Sequence, residues 1–346
     1  MSRFFELAKY QSSMFTGSNM TVVKDLIKSQ FRSLPEPSHD FTGQIVIVTG
    51  ANSGLGLEAS RHFVRLGAAK VILGCRSVER GEAAKRDIEA TTNREGVAEV
   101  WEADLTSFDS VKAFCYRVEG LERLDALVLN AGVAVPEFAA ADGGFETQIA
   151  VNVISTFLMA LMVLPKLRET AGRYAVQPRL VFISSDGHHF ARFAERNQPS
   201  IFEAFRDPST MSDDRYNTSK LLIVLLAREL AIRLSSSSNN SIILNIVTPG
   251  FCKSQISRNL PLAGRLSVGM FLALIGRTTE VGSRCLVAAA AAGVDTHGQY
   301  LDSCRVSGPS VFVLSEDGRE VQPRIYAELM GVLDGIEPGL SRNVSG

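Results

Sequence analysis

A tyrosine and a lysine stand four residues apart in Tyr216-Asn217-Thr218-Ser219-Lys220, at the head of an apolar pattern from Leu221 to Leu234. On a helix, positions four apart share a face, so the ammonium can lie beside the phenol. A phenol left alone titrates near pH ~10 and is a poor base at neutral pH. A fixed positive charge beside it favours the phenolate and lowers that value. Such a pair can move a proton to or from a substrate oxygen. The same spacing also describes an ordinary exposed Tyr and Lys, so its meaning depends on the elements that would position it.

The first of these is Gln44-Ile45-Val46-Ile47-Val48, an apolar, β-branched run with the pattern of a buried parallel strand. It leads into Thr49-Gly50-Ala51-Asn52-Ser53-Gly54-Leu55-Gly56, and a helix pattern follows through Ala59, Phe63 and Leu66 to Gly67. A glycine-rich turn between strand and helix brings backbone N–H groups and the positive helix end up to a pyrophosphate. A dinucleotide site is expected there. The next strand is Lys70-Val71-Ile72-Leu73-Gly74. Sites for NAD usually place an acidic residue after this strand to bind the ribose hydroxyls. Here Cys75 and Arg76 follow, with Arg80 one helical turn on. A guanidinium suits a 2′-phosphate, so NADP(H) is favoured over NAD. The plainer alternative is a solvated arginine at a helix start.

Further strand patterns lie at 98–102, 126–129, 179–183, 242–247 and 298–301, with helix patterns between them. This alternation predicts an α/β fold with a doubly wound parallel sheet, whose ligands sit outside the carboxyl ends of the strands. Arg76, Asp104, Asn130 and Ser184-Ser185 all fall at such ends. Asn152 interrupts the apolar helix pattern of 145–167. It is either a satisfied core amide or an orienter of a water or a lysine. His188 and His189 are adjacent without a third ligand nearby, so they read as loop or pocket residues and no metal is expected. Residues 186–215 and 251–277 read as substrate-side insertions. Within the second, 260–276 is apolar but broken, too short to span a bilayer. A lid over an apolar substrate fits it, as does partial membrane contact.

The 346 residues are 45% apolar and 21% charged, with net charge −1. That is a soluble globular composition without the basic surplus that nucleic acid requires. Five scattered cysteines read as reduced thiols in a cytoplasmic protein. Residues 1–40 form an extension with a loosely amphipathic pattern, stopped at Ser33-Leu34-Pro35-Glu36-Pro37. A helix on the domain surface is favoured over a weak membrane anchor. The main domain is placed at 41–330 and a tail at 331–346. The apolar helices around Asn152–Leu167 and Tyr216–Leu234 fit either a homodimer or a thick core.

Taken in order, Thr49-Gly50-x-x-x-Gly54-x-Gly56, Asp104, Asn130-Ala131-Gly132, Asn152, Ser185, Tyr216-x-x-x-Lys220 and Pro249-Gly250 resemble the short-chain dehydrogenase/reductase family, over roughly residues 41–330. Gly54-Leu55-Gly56-Leu57-Glu58, Cys75-Arg76 and Asp214-Arg215-Tyr216-Asn217 are similar to fungal, retinol-dehydrogenase-like members that often serve secondary metabolism. The resemblance implies a single Rossmann domain and a hydride exchanged between NADP(H) and a carbonyl or secondary alcohol of an apolar small molecule. It implies that Tyr216 exchanges the proton and that Ser185 hydrogen-bonds the substrate oxygen. Lys220 would lower the phenol pKa and bind the nicotinamide ribose, and Asn152 would hold a water in a relay to Lys220. Gly50, Ser53, Leu55 and Gly56 would meet the pyrophosphate end, Asp104 the adenine, Asn130 the ribose, and Cys252 and Ser254 the nicotinamide. The span from Ser185 to Tyr216 is longer than the family's usual spacing, so the Ser185 assignment rests on strand register. Two other readings are a dinucleotide-sensing binding protein without turnover and a membrane-associated lipid or retinoid-type reductase.

Overall fold

In the computed structural model, which describes residues 17–236, 241–253 and 275–345, eight strands form one sheet. They are β1 (Ile45–Thr49), β2 (Lys70–Cys75), β3 (Ala98–Glu102), β4 (Ala126–Leu129), β5 (Arg179–Ile183), β6 (Ile243–Thr248), β7 (Tyr300–Asp302) and β8 (Arg305–Ser307). Their order across the sheet is β3-β2-β1-β4-β5-β6-β7-β8. The first seven are parallel and β8 runs antiparallel to β7. The chain steps outward from β1 to β3, then crosses back to β4 on the other side of β1. That reversal makes the carboxyl end of β1 a topological switch point, where a crevice opens between the diverging connections.

Among the described residues, eight helices of three or more turns accompany the sheet: α1 (Gly17–Gln30), α2 (Gly54–Arg65), α3 (Val78–Thr92), α4 (Phe108–Glu119), α5 (Thr147–Tyr174), α6 (Arg215–Ser236), α7 (Thr279–Ala291) and α8 (Glu316–Ile336). Parallel strands need cover on both faces, and their continuous apolar runs reflect it. Two cores result. One packs Ala59, Phe63 and Val64 of α2 and Leu286 and Ala289 of α7 against Val46, Val48, Val71 and Val128. The other packs α4, α5 and α6 against Ile47, Ile72, Leu127 and Phe182.

One sequence expectation changes here, and one of two open alternatives gains support. The sheet does not end with the strand near 298–301. A turn with Ser303 and Cys304 at positive φ (51° and 61°) folds the chain back into β8. Nor do α5 and α6 need a neighbouring subunit to account for their apolarity. Leu221, Leu222, Val224 and Leu225 of α6 are all fully buried within the chain. The amphipathic α8 lays Val321, Ile325, Leu329 and Leu333 into the same core. Helix α5 is long and apolar enough to cross a membrane, but 94% of its most apolar stretch is buried, as in a core helix.

Candidate active site

The glycine-rich turn sits at the switch point, and Gly50 and Gly56 are packed too closely for a Cβ. Gly50 and Gly54 have φ of +67° and +59°, a region that L side chains rarely adopt. A Cβ on Gly56 would lie 2.5 Å from the Gly50 carbonyl oxygen and 2.6 Å from Asn130 Nδ2. The Asn130 amide donates to the Thr49 carbonyl at 2.8 Å, and Ala131 N donates to Thr49 Oγ1 at 3.0 Å. Asn130 thus ties β4 to the end of β1 and shapes the turn. Ser53 is the N-cap of α2, yet its hydroxyl makes no capping bond. Leu55 lies in the first turn of that helix, facing Gly282 of α7.

On the other side of β4, the motif that opened the sequence reading comes together with the end of β5. Tyr216 and Lys220 occupy the first turns of α6. The phenol of Tyr216 shares a hydrogen bond with Ser185. Ser185 Oγ also accepts from Gly187 N at 3.1 Å, capping the short turn that follows β5. Lys220 is buried, and its Nζ donates to the Ile183 carbonyl at 2.9 Å, 5.8 Å from the Tyr216 ring centre. The neighbouring Ser184 turns inward and donates to the Lys220 carbonyl at 2.9 Å. Register, not spacing, therefore decides between the two serines: alternate strand positions face opposite ways. Only Ser185 reaches the phenol.

Asn152 lies in a π-helical turn, Ala150–Ser155, inside α5. Such turns insert one residue and shift the helix face locally. Its Oδ1 accepts from Val133 N at 2.8 Å, and its Nδ2 donates to the Val133 carbonyl at 2.9 Å and to Ser219 Oγ at 3.0 Å. The amide is a satisfied core group that fixes the 130–133 segment, and none of its bonds goes to Lys220. The two flank Gly132. A Cβ there would lie 3.2 Å from Asn152 Oδ1 and 3.5 Å from Lys220 Nζ.

The electrostatics differ from what the Tyr–Lys pair alone suggests. Burial pushes the Tyr216 phenol above its ordinary pKa, against the Ser185 hydrogen bond, and the Asp186 charge adds to the rise. Lys220 is itself held down to about 8 by burial. Its ammonium points at a carbonyl rather than at the phenol oxygen, and both groups are desolvated. At neutral pH the phenol keeps its proton.

The sequence reading missed a buried polar cluster beneath Ser185. Asp186 is 3% exposed and accepts from the Tyr300 hydroxyl at 3.2 Å. Burial, and then the nearby Asp302, push its carboxyl up to about 6. His188 Nε2 accepts from Ser310 N at 2.9 Å, so Nδ1 carries the hydrogen and donates to the Ser185 carbonyl at 2.7 Å. Burial holds His188 near 3 and His189 near 4, so both imidazoles are neutral. His188 thereby anchors the Ser185 backbone. The missed partners, Tyr300 and Asp302, belong to β7, far along the chain.

A second unread group is Arg215, which is 1% exposed. Its Nη1 lies 3.0 Å from Glu195, its Nε 3.9 Å from Glu146, and its Nη2 donates to the Thr210 carbonyl at 2.8 Å. It ties the 186–215 insertion and the start of α5 to the residue before Tyr216. In the same insertion Phe193, Phe202 and Phe205 turn into the core.

The remaining candidates are placed by the strand ends. Arg76 follows β2, is exposed, and makes no hydrogen bond or ion pair among the described residues. Asp104 follows β3, and its Oδ1 accepts from Thr106 N and Oγ1 at 3.0 and 2.8 Å. Cys252 is buried, with its thiol turned against Gly282 of α7, where a Cβ would lie 2.3 Å from its sulfur. Ser254 and residues 254–274 lie outside the described residues.

With this arrangement in view, comparison with known proteins is direct. The short chain dehydrogenase family model matches residues 44–194. The chain is 42% identical over 325 residues to the short chain dehydrogenase/reductase dmxR8 of Cryptosporiopsis sp., covering 92% of this chain and 99% of that protein. It is 47% identical over 277 residues to the short chain dehydrogenase atnD of Emericella nidulans, covering 79% and 88%. Among solved structures, an uncharacterised protein from Mycobacterium paratuberculosis aligns with a TM-score of 0.62 at 25% identity, over 88% of this chain and 95% of that one. The Pseudomonas aeruginosa RhlG/NADP active-site complex shares the fold, with a TM-score of 0.56 at 23% identity over 77% and 97% of the two chains. The chain belongs to the short-chain dehydrogenase/reductase family, an oxidoreductase family that acts on small molecules with a nicotinamide cofactor.

Proposed function

We propose that this protein is an NADP(H)-dependent reductase of a carbonyl group, or dehydrogenase of a secondary alcohol, in an apolar small molecule of fungal secondary metabolism. The observation that carries the proposal is the hydrogen-bonded pair of hydroxyls, Ser185 and Tyr216, held over Lys220 at the carboxyl edge of the sheet. Three features fit the dinucleotide. Gly50 and Gly56 leave no room for a Cβ. The Ser53 hydroxyl is not spent on capping α2. Arg76 extends from the end of β2 with no carboxylate partner among the described residues. Gly50, Ser53, Leu55 and Gly56 would hold the pyrophosphate end, Asp104 the adenine, Asn130 the ribose side of the crevice, and Arg76 a 2′-phosphate. When bound, the dinucleotide supplies or accepts the hydride.

The chain's own residues handle the oxygen. As a carbonyl is reduced, negative charge builds on its oxygen. Hydroxyl donors from Ser185 and Tyr216 meet that charge in a desolvated place, where they favour the transition state over the ground state. Tyr216 then yields its proton to the alkoxide. A phenol whose pKa is raised by burial holds that proton at neutral pH, which suits reduction. Lys220 places a positive charge next to the phenolate left behind. Five free cysteines fit a reducing compartment, and the proposal places the protein in the cytoplasm.

The test is a thermal shift with NADPH and with NADH, on the wild type and on Arg76→Ala, followed by a carbonyl panel scored by NADPH consumption. A larger shift with NADPH that Arg76→Ala removes supports the cofactor assignment. A charge-assisted bond to a phosphate is worth about 1.5–3 kcal/mol, so the variant should lose about tenfold or more in NADPH affinity. No shift with either nucleotide would overturn it.

A further inference from the structure

We infer that the end of helix α1 positions the turn after β6 for the nicotinamide end of the dinucleotide, with Gln30 as the positioning residue. The inference rests on the cofactor reading above, which places ligands at the carboxyl ends of the strands.

Gln30 is the last residue of α1 and is 4% exposed. Its Oε1 accepts from Phe251 N at 2.9 Å, and its Nε2 donates to the Phe251 carbonyl at 2.7 Å and to the Ile275 carbonyl at 2.8 Å. One carboxamide thus pairs with both backbone groups of Phe251, as a neighbouring strand would. It also joins Phe251 to the returning chain at Ile275. The residue before it adds a second link. The Ser29 carbonyl accepts from Arg277 Nη2 at 2.6 Å, and Arg277 Nη1 donates to the Pro249 carbonyl at 3.0 Å. The packing closes tightly around Gly250, whose φ is +76°. A Cβ there would lie 2.7 Å from Gln30 Oε1 and 2.8 Å from Arg277 Nη1.

The family motif begins at β1, after this helix. The sheet takes no strand from α1, yet α1 commits buried polar groups to one place on the sheet edge. Buried donors and acceptors are strongly driven to pair, so these bonds fix the turn's geometry. The turn carries Pro249-Gly250 and Cys252, and the Cys252 thiol and Leu55 of the glycine-rich turn pack together at Gly282, where a Cβ would lie 2.3 and 2.9 Å from them. A backbone held in place before binding spares the complex the cost of ordering it. On the cofactor reading, Arg76 and Asp104 at the ends of β2 and β3 would hold the adenosine end, away from this clamp.

The experiment follows from that asymmetry. Dissociation constants of NADPH and of adenosine 2′,5′-bisphosphate are measured by calorimetry on the full chain, for wild type, Gln30→Ala and Gln30→Met. Gln30→Met keeps the length of the side chain and removes only the amide. The expected result is that both variants weaken NADPH by about tenfold, which corresponds to ~1.4 kcal/mol. Their affinity for the bisphosphate should stay at the wild-type level. Equal NADPH affinity in wild type and variants would overturn the inference. A parallel loss of both ligands, or failure of both variants to fold, would reduce the clamp to a structural brace and overturn it as well. A wild-type protein that binds neither ligand would overturn the cofactor reading itself, and this inference with it.

Discussion

The ammonium of Lys220 donates to the carbonyl of Ile183 at 2.9 Å, so the helix that carries Tyr216 is pinned to the strand that leads into Ser185. Ser184 pins it a second time through the Lys220 carbonyl. The two hydroxyls that would meet the substrate oxygen are therefore set by these two hydrogen bonds between α6 and the end of β5, whatever the length of the insertion between them. Placement of this kind converts binding into rate.

We predict that Tyr216→Phe folds and binds NADPH as the wild type does but loses turnover by about 10²- to 10⁴-fold, the usual contribution of one positioned proton donor. Ser185→Ala should lose about 10²- to 10³-fold, as when one donor to a developing oxyanion is removed. Both are read as kcat on whichever carbonyl compound the panel returns. Near-normal turnover in Tyr216→Phe would sink the mechanism.

The pH dependence should differ with direction. Reduction draws a proton from the phenol and is helped by the Lys220 charge, which burial makes easier to lose, with a pKa of about 8. We expect kcat/KM for reduction to fall as pH rises through about 8. Oxidation of the matching alcohol needs the phenolate and should rise over the same range. A reduction rate that climbs through that range would contradict this assignment.

Stability should report the buried Asp186. Its folded pKa is about 6, against an ordinary 3.8. Between those values the native state keeps a proton that the unfolded chain has released. Stability from this group is therefore greatest in acid and falls as pH rises from about 4 to about 6, by up to ~3 kcal/mol. Asp186→Asn has no such charge to bury. The variant should gain on the wild type at pH about 7.5 and lose most of that advantage near pH about 4, as read by denaturant midpoints. His188 and His189 act in the opposite sense. Their pKa values are depressed, so the neutral forms they bury are favoured above about 6.5 and stability is lost below it. They are common to both proteins, so the comparison removes them. A variant advantage that is constant with pH would show that Asp186 is not the titrating group.

The parallel strands and their carboxyl-end residues were legible because central strands such as β1, β4 and β5 are nearly continuous apolar runs bounded by turn residues, and because strand patterns alternate with helix patterns. The glycine turn and the Tyr–Lys pair are local patterns, readable without knowing the fold. What escaped has no local signature. Strand β8 is three residues long, and its turn uses Ser303 and Cys304 at positive φ instead of glycine or asparagine. The π-helical turn at Asn152 falls in a sequence that reads as ordinary helix. Asp186 meets Tyr300, and Gln30 meets Phe251, only after the whole sheet is assembled.

Arg215 is the case in which burial ran most against its residue type, and it gives the last prediction. An arginine next to a candidate catalytic tyrosine reads as solvent-exposed or as a ligand contact. Instead it is enclosed by Glu146, Glu195, Thr210 and the Phe205 ring, 4.6 Å from its guanidinium. Glu146 is fully buried, and burial pushes its carboxyl above its ordinary value even with Arg215 beside it. Removing the cation strands Glu146 and Glu195 in the interior. Breaking a buried pair from one side typically costs about 3–5 kcal/mol. Arg215→Ala should lose about that much in denaturant unfolding, and Arg215→Met, which refills the volume, somewhat less. The loss should shrink as pH falls, since a protonated Glu146 no longer needs the guanidinium. Wild-type stability in Arg215→Ala would mean that the insertion is held by its buried phenylalanines alone, with no contribution from the ionic group beside Tyr216.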